Sequence, residues 1–108
     1  MEDLELENGP EMISFGIIAH AGDARSYAFG ALAAAKAGNF EEAEALLKQS
    51  DAAAVEAHHM QTDLLFKEAN GEKTPVDVLL VHAQDHLMTS MLAVEVIKEL
   101  IELYKNKN

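Results

Sequence analysis

The sequence predicts an all-α fold, an antiparallel three-helix bundle that associates with copies of itself. Three observations predict it. Turn and stop signals divide the chain into three long segments, and no stretch sustains the alternation of a strand. The third segment also carries two apolar stripes where a lone bundle needs one. A chain of 108 residues suits one domain with a modest core.

Residues 1–10 read as a flexible acidic arm, Met1-Glu2-Asp3-Leu4-Glu5-Leu6-Glu7 and onward to Pro10, and residues 11–108 as a single three-helix domain. The first helix is expected over residues 11–37. Gly16, Gly22 and Gly30 lie inside it. Each costs a helix interior about 1 kcal/mol relative to Ala, so they argue for tight packing or for a kink near Gly22. Gly38-Asn39 ends this helix, and Asn70-Gly71 ends the second, expected over residues 40–69. In the second helix Phe40, Ala43, Leu47, Ser50, Ala54, Ala57, Gln61 and Leu64 follow the three-four spacing of a left-handed bundle seam. The third helix is expected over residues 75–105, with Thr74 as N-cap, Pro75 at the first helical position and Asp77 as a capping-box acid. The short turns favour antiparallel neighbours in an up-down-up order.

At about 100° per residue, one stripe of the third helix holds Val76, Leu80, Ala83, Leu87, Val94 and Ile101, an ordinary core face. A second, roughly 120° away, holds Val78, His82, Asp85, His86, Thr89, Ala93, Val96, Leu100 and Leu103. A third, with Asp77, Gln84, Glu95, Glu99 and Glu102, is the solvated one. The second stripe ends too apolar to leave in water, and exposed patches of that kind mark interfaces. It predicts a homo-oligomer with the His/Asp cluster at the subunit contact; the alternative is a single wide core.

Composition narrows the chemistry. The chain has no Cys, which excludes disulfides, zinc knuckles and thiol catalysis. The formal charge is −11, from 19 acidic and 8 basic residues, which argues against a nucleic-acid partner. It suits a partner with a positive surface, or simple solubility. No apolar run is long enough for a membrane span, and the acidic start is unlike a signal peptide. A soluble cytoplasmic protein without membrane insertion is expected.

His82, Asp85 and His86 are neighbours on one helical face. Imidazole serves as nucleophile, proton carrier and metal ligand near neutral pH. Four readings compete. His82 and His86 at i, i+4 could hold zinc, or form an inverted zincin motif with Asp for Glu. A neutral imidazole nitrogen could attack phosphorus to form a phosphohistidine, with His86 and Gln84 as donors by type. The two histidines could simply be packed at an interface. The hairpin Lys36-Ala37-Gly38-Asn39-Phe40-Glu41-Glu42-Ala43 could belong to a tetratricopeptide scaffold, but no repeat follows. His20, His58 and His59 read as surface or packing residues.

The run Val81-His82-Ala83-Gln84-Asp85-His86-Leu87-Met88-Thr89 resembles the signature of the enzyme IIA component of the lactose/cellobiose/chitobiose class of the bacterial sugar phosphotransferase system. Ala21-Gly22-Asp23-Ala24-Arg25-Ser26, Glu56-Ala57-His58 with Gln61-Thr62, and Leu100-Ile101-Glu102-Leu103-Tyr104 match in the same order. The resemblance implies a homotrimer of three-helix bundles, a cytoplasmic phosphotransferase component. It implies that His82 accepts a phosphoryl group from the phosphocarrier HPr and passes it to a cysteine of the cognate IIB component. The disaccharide is then phosphorylated during uptake through the membrane component IIC, so IIA does not touch the sugar. It implies that Asp85 lies near the trimer axis, where three carboxylates gather around one divalent cation per trimer, chemically suited to Mg2+. It gives His86 a supporting place at the site. The rival from another class is a non-catalytic helical oligomer or metal-binding module.

Overall fold

The computed structural model describes residues 9–107. Three helices make it up: α1 (Pro10–Lys36), α2 (Phe40–Ala69) and α3 (Val78–Lys105), with no strand among the described residues. The expected acidic arm lies outside the described residues except at its end, where Gly9 caps α1 and Pro10 opens it.

α1 is the central helix. It packs along both α2 and α3, which barely touch each other. Small side chains make this possible: Ala24, Ala28, Ala31 and Ala35 are buried along α1, and they meet Ala43 of α2 and Val94, Ile97 and Ile101 of α3. A second cluster, Ile17, Ala21, Ala57, Leu64, Ala83 and Leu87, fills the half of the bundle that holds the two α3 histidines. Every seam position expected in α2 is buried or half-buried. The Ser50 hydroxyl in that seam donates to the Ala24 carbonyl at 2.7 Å, so its burial leaves no orphan.

The α1 glycines serve close packing, and α1 runs through Gly22 as one continuous helix. The Met60 side chain lies directly on Gly16, and a methyl on Gly30 would rest 3.6 Å from Leu46 Cδ1. The two turn glycines do a different job. Gly38 (φ 85°) and Gly71 (φ 89°) take left-handed backbone just past α1 and α2. The following amides, Asn39 and Glu72, each donate at 2.8 Å to carbonyls five residues back, Ala34 and Lys67. This closes a Schellman motif at both ends. Gly38→Ala therefore costs roughly 1–2 kcal/mol of stability, the left-handed penalty of a Cβ. Gly30→Ala, at ordinary contact distance, gains about 1 kcal/mol of helix propensity. Thermal or denaturant unfolding of the two variants reads these opposite signs.

The start of α3 differs from the expectation. Asp77, not Thr74, is the N-cap: its backbone is extended and its carboxylate accepts the Leu80 amide at 2.8 Å. Asp77 thereby satisfies a first-turn donor. Thr74 and Pro75 stay in the connector, because the first-turn amide that a cap must satisfy is taken by Asp77. Val76, assigned to the core stripe, precedes the helix and is 79% exposed.

Polar ties span the gap between α2 and α3. Lys98 pairs with Asp51 and Lys105 with Glu44, each at 2.8 Å. The hydrogen bond from Lys105 holds the Glu44 carboxyl below its ordinary range, and the same bond raises the Lys105 ammonium. Gln84, expected on the solvated stripe, is half-buried and accepts a hydrogen bond from the Gln61 amide. Its long side chain reaches sideways to α2.

Candidate functional site

His82 and His86 are one turn apart on α3, a spacing that makes side chains neighbours. Their imidazoles stack, with ring centroids 6.0 Å apart and planes 11° from parallel. The two rings differ in setting. His82 is exposed, whereas His86 is half-buried against α1. A Cβ on Gly22 would stand 3.4 Å from His86 Nε2. One turn on, the Thr89 hydroxyl donates to the Asp85 carbonyl at 2.8 Å, with the His86 carbonyl at 3.3 Å. The sequence places an outward ring on an inner one, and the inner one on the backbone of the central helix.

Asp85, grouped with the histidines on the sequence, is exposed. It makes no ion pair or side-chain hydrogen bond with either ring among the described residues. No three His, Cys, Asp or Glu residues converge within one chain among the described residues. The zinc reading of His82 and His86 therefore lacks its third ligand here. Any role for Asp85 as a metal ligand needs donors from other copies.

The second stripe is open rather than part of a wide core. Val78, Val96, Leu100 and Leu103 are exposed, and Ala93 is half-buried. With Phe29 and Leu32 of α1, the C-terminal part of this stripe lines an almost wholly apolar groove of about 350 Å3. Leu92, which neither stripe included, is 61% exposed and joins the groove. His58 and His59 are exposed and His20 is half-buried, in keeping with surface or packing roles. No described helix is long and apolar enough to cross a membrane.

Two residues at the site escaped the sequence reading. The sequence marks Gly22 as a packing or kink glycine within the matching run Ala21-Gly22-Asp23-Ala24-Arg25-Ser26, and Gln61 as a seam position within Gln61-Thr62, but ties neither to the histidines. The local signal for Gly22 is a glycine mid-helix with no turn beside it.

Comparison with known proteins finds likenesses over most of the chain. Residues 12–105 match the family described as PTS system, Lactose/Cellobiose specific IIA subunit. The chain is 50% identical over 94 residues to the lactose-specific EIIA component of Streptococcus mutans, covering 87% of this chain and 90% of that protein. It is similar to the crystal structure of the cellobiose-specific enzyme IIA from Bacillus anthracis, with a TM-score of 0.85 and 48% identity, covering 87% of this chain and 86% of that one. It is also similar to IIA(chitobiose) in the solution structure of the IIA(chitobiose)–HPr complex of Escherichia coli. There the TM-score is 0.76 and identity 50%, over 88% of this chain and 92% of that one.

Proposed function

The chain belongs to the lactose/cellobiose-specific IIA subunit family of the sugar phosphotransferase system, and from that premise we propose that it carries a phosphoryl group on His82 between two protein partners. The donor in this reading is HPr, which is the partner of the similar IIA(chitobiose) in a solved complex. The acceptor is a cysteine of a cognate IIB component. Both steps belong to the cytoplasm.

One observation carries the assignment of His82 over the other histidines: an exposed imidazole stacked on a half-buried one that rests on α1. In the first step a neutral His82 nitrogen attacks phosphorus in line. The bond from phosphorus to the donor breaks as the P–N bond forms. In the second, the IIB thiolate attacks the same phosphorus, an S–P bond forms and the imidazole leaves. His86 contributes by limiting the swing of the His82 ring, so less orientation is lost on docking. The acidic surface, net −11, favours encounter with partners that present positive surfaces.

The test is incubation with phosphorylated HPr. The reading expects one base-stable, acid-labile phosphate per chain. Absence of any such phosphate would leave the non-catalytic helical oligomer as the better account.

The exposed apolar stripe of α3 supports a homotrimer built on that face. Asp85 lies on the same stripe, and one carboxylate from each of three chains would suit a hard divalent cation such as Mg2+. Gathered carboxylates without a cation repel, and unpaired buried charge is costly. Asp85→Leu is accordingly expected to keep or strengthen the trimer, and chelation to weaken the wild-type assembly. Dissociation of the Leu variant to monomers in sedimentation velocity is the contrary result.

A further inference from the structure

We propose that Gly22 is a positioning residue for phosphoryl transfer: its missing side chain seats His86, and His86 in turn sets the plane of His82. The proposal rests on the reading of His82 as phosphoryl acceptor.

The three glycines within α1 receive different neighbours. Gly16 meets the Met60 thioether and Gly30 a Leu46 methyl, both apolar groups from α2. Gly22 meets His86 Nε2 from α3, and apart from its two chain neighbours no other side-chain atom among the described residues comes within 4 Å of where its Cβ would stand. Gly22 is thus the point at which the α1 backbone leaves room for an imidazole. On its other side that imidazole stacks on His82, 6.0 Å away and 11° from parallel. The contact path runs from backbone to inner ring to outer ring. Thr89 ties the α3 turn that carries His86 by donating to the Asp85 and His86 carbonyls.

The distance makes the prediction graded. A methyl at 3.4 Å from Nε2 fits at contact and fills the seat. A branched side chain adds a carbon beyond that limit, and His86 must turn away from α1. The ring that turns is the one stacked on His82, so the stack loosens and the acceptor nitrogen loses its fixed bearing. Misplacement of a positioned group by about 1 Å can cost on the order of 10²-fold in rate.

The experiment compares Gly22→Ala and Gly22→Val, each alone and combined with His86→Ala. The His82 ring signals in 1H–13C NMR of the unphosphorylated protein are one readout. The rate of uptake from phosphorylated HPr, resolved into kcat and KM, is the other. Expected are moved His82 ring signals and a kcat loss of tenfold or more for Gly22→Val, a smaller loss for Gly22→Ala, and little change in KM. With His86→Ala present, either Gly22 change should cost less than twofold further, since coupled residues are non-additive. Equal fold losses in both backgrounds, or His82 signals that stay put, overturn the proposal. Should Gly22→Val fail to fold, Gly22→Ser alone and with His86→Ala carries the same comparison, because its hydroxyl oxygen also lies beyond the methyl. Phosphate on a residue other than His82 in the parent protein refutes the acceptor reading instead, and leaves the ring-shift result to judge the seat alone.

Discussion

His82→Gln is expected to abolish phosphoryl uptake from HPr, by at least about 10⁴-fold, the scale on which removal of a nucleophile acts. Gln keeps polar size but has no nitrogen nucleophilic enough to form a stable P–N bond. The cost to the fold should be small, because His82 is exposed and lies outside both core clusters. Circular dichroism and oligomeric state should match the parent protein, which separates loss of chemistry from loss of structure. His59→Gln, at an exposed position of α2, should retain full uptake. Residual transfer to the His82→Gln protein at anything near the parent rate would move the acceptor elsewhere.

Val96→Glu is expected to break the assembly into monomers that remain helical. Val96 is half exposed and lines the apolar groove with Leu92, Leu100 and Phe29. In a trimer built on this stripe, each chain would bring an unpaired carboxylate into a dry contact. Stranding a buried charge costs about 3–5 kcal/mol, enough to lower association by more than about 10²-fold per contact. The helix itself should survive, since the side chain takes no part in the core contacts with α1 and α2. Sedimentation velocity decides: an unchanged trimer would mean that another face holds the copies together.

Much of this architecture was legible because it is local. The three-four spacing from Phe40 to Leu64 needs only helical geometry, and all eight positions turn inward. Both glycine stops sit at left-handed turns for the same reason, a conformation that favours glycine. The start of α3 was less legible because two side chains, Thr74 and Asp77, could each cap a helix. A hydrogen bond from the Leu80 amide settles the choice in favour of Asp77. Gln84 was misassigned because a wheel gives the direction of a Cβ, not the reach of a long amide. It finds Gln61, a residue on another helix.

The candidate site divides in the same way. His82 and His86 stack as their four-residue spacing predicts. What lies beneath His86 depends on α1 packing in register against α3, so Gly22 could not be tied to the site by any local pattern. Asp85 is harder still, since the groups that would explain it belong to other copies of the chain. The open stripe was readable as an excess of apolar surface on α3, because burial of one helix face leaves the other unaccounted for.

The most direct measurement is the position of the phosphate itself. The protein is phosphorylated by HPr, kept alkaline to preserve the P–N bond, digested, and mapped by mass spectrometry. A single phosphate on His82 is expected. Phosphate on His86, on any of His20, His58 or His59, or on no histidine at all would contradict it.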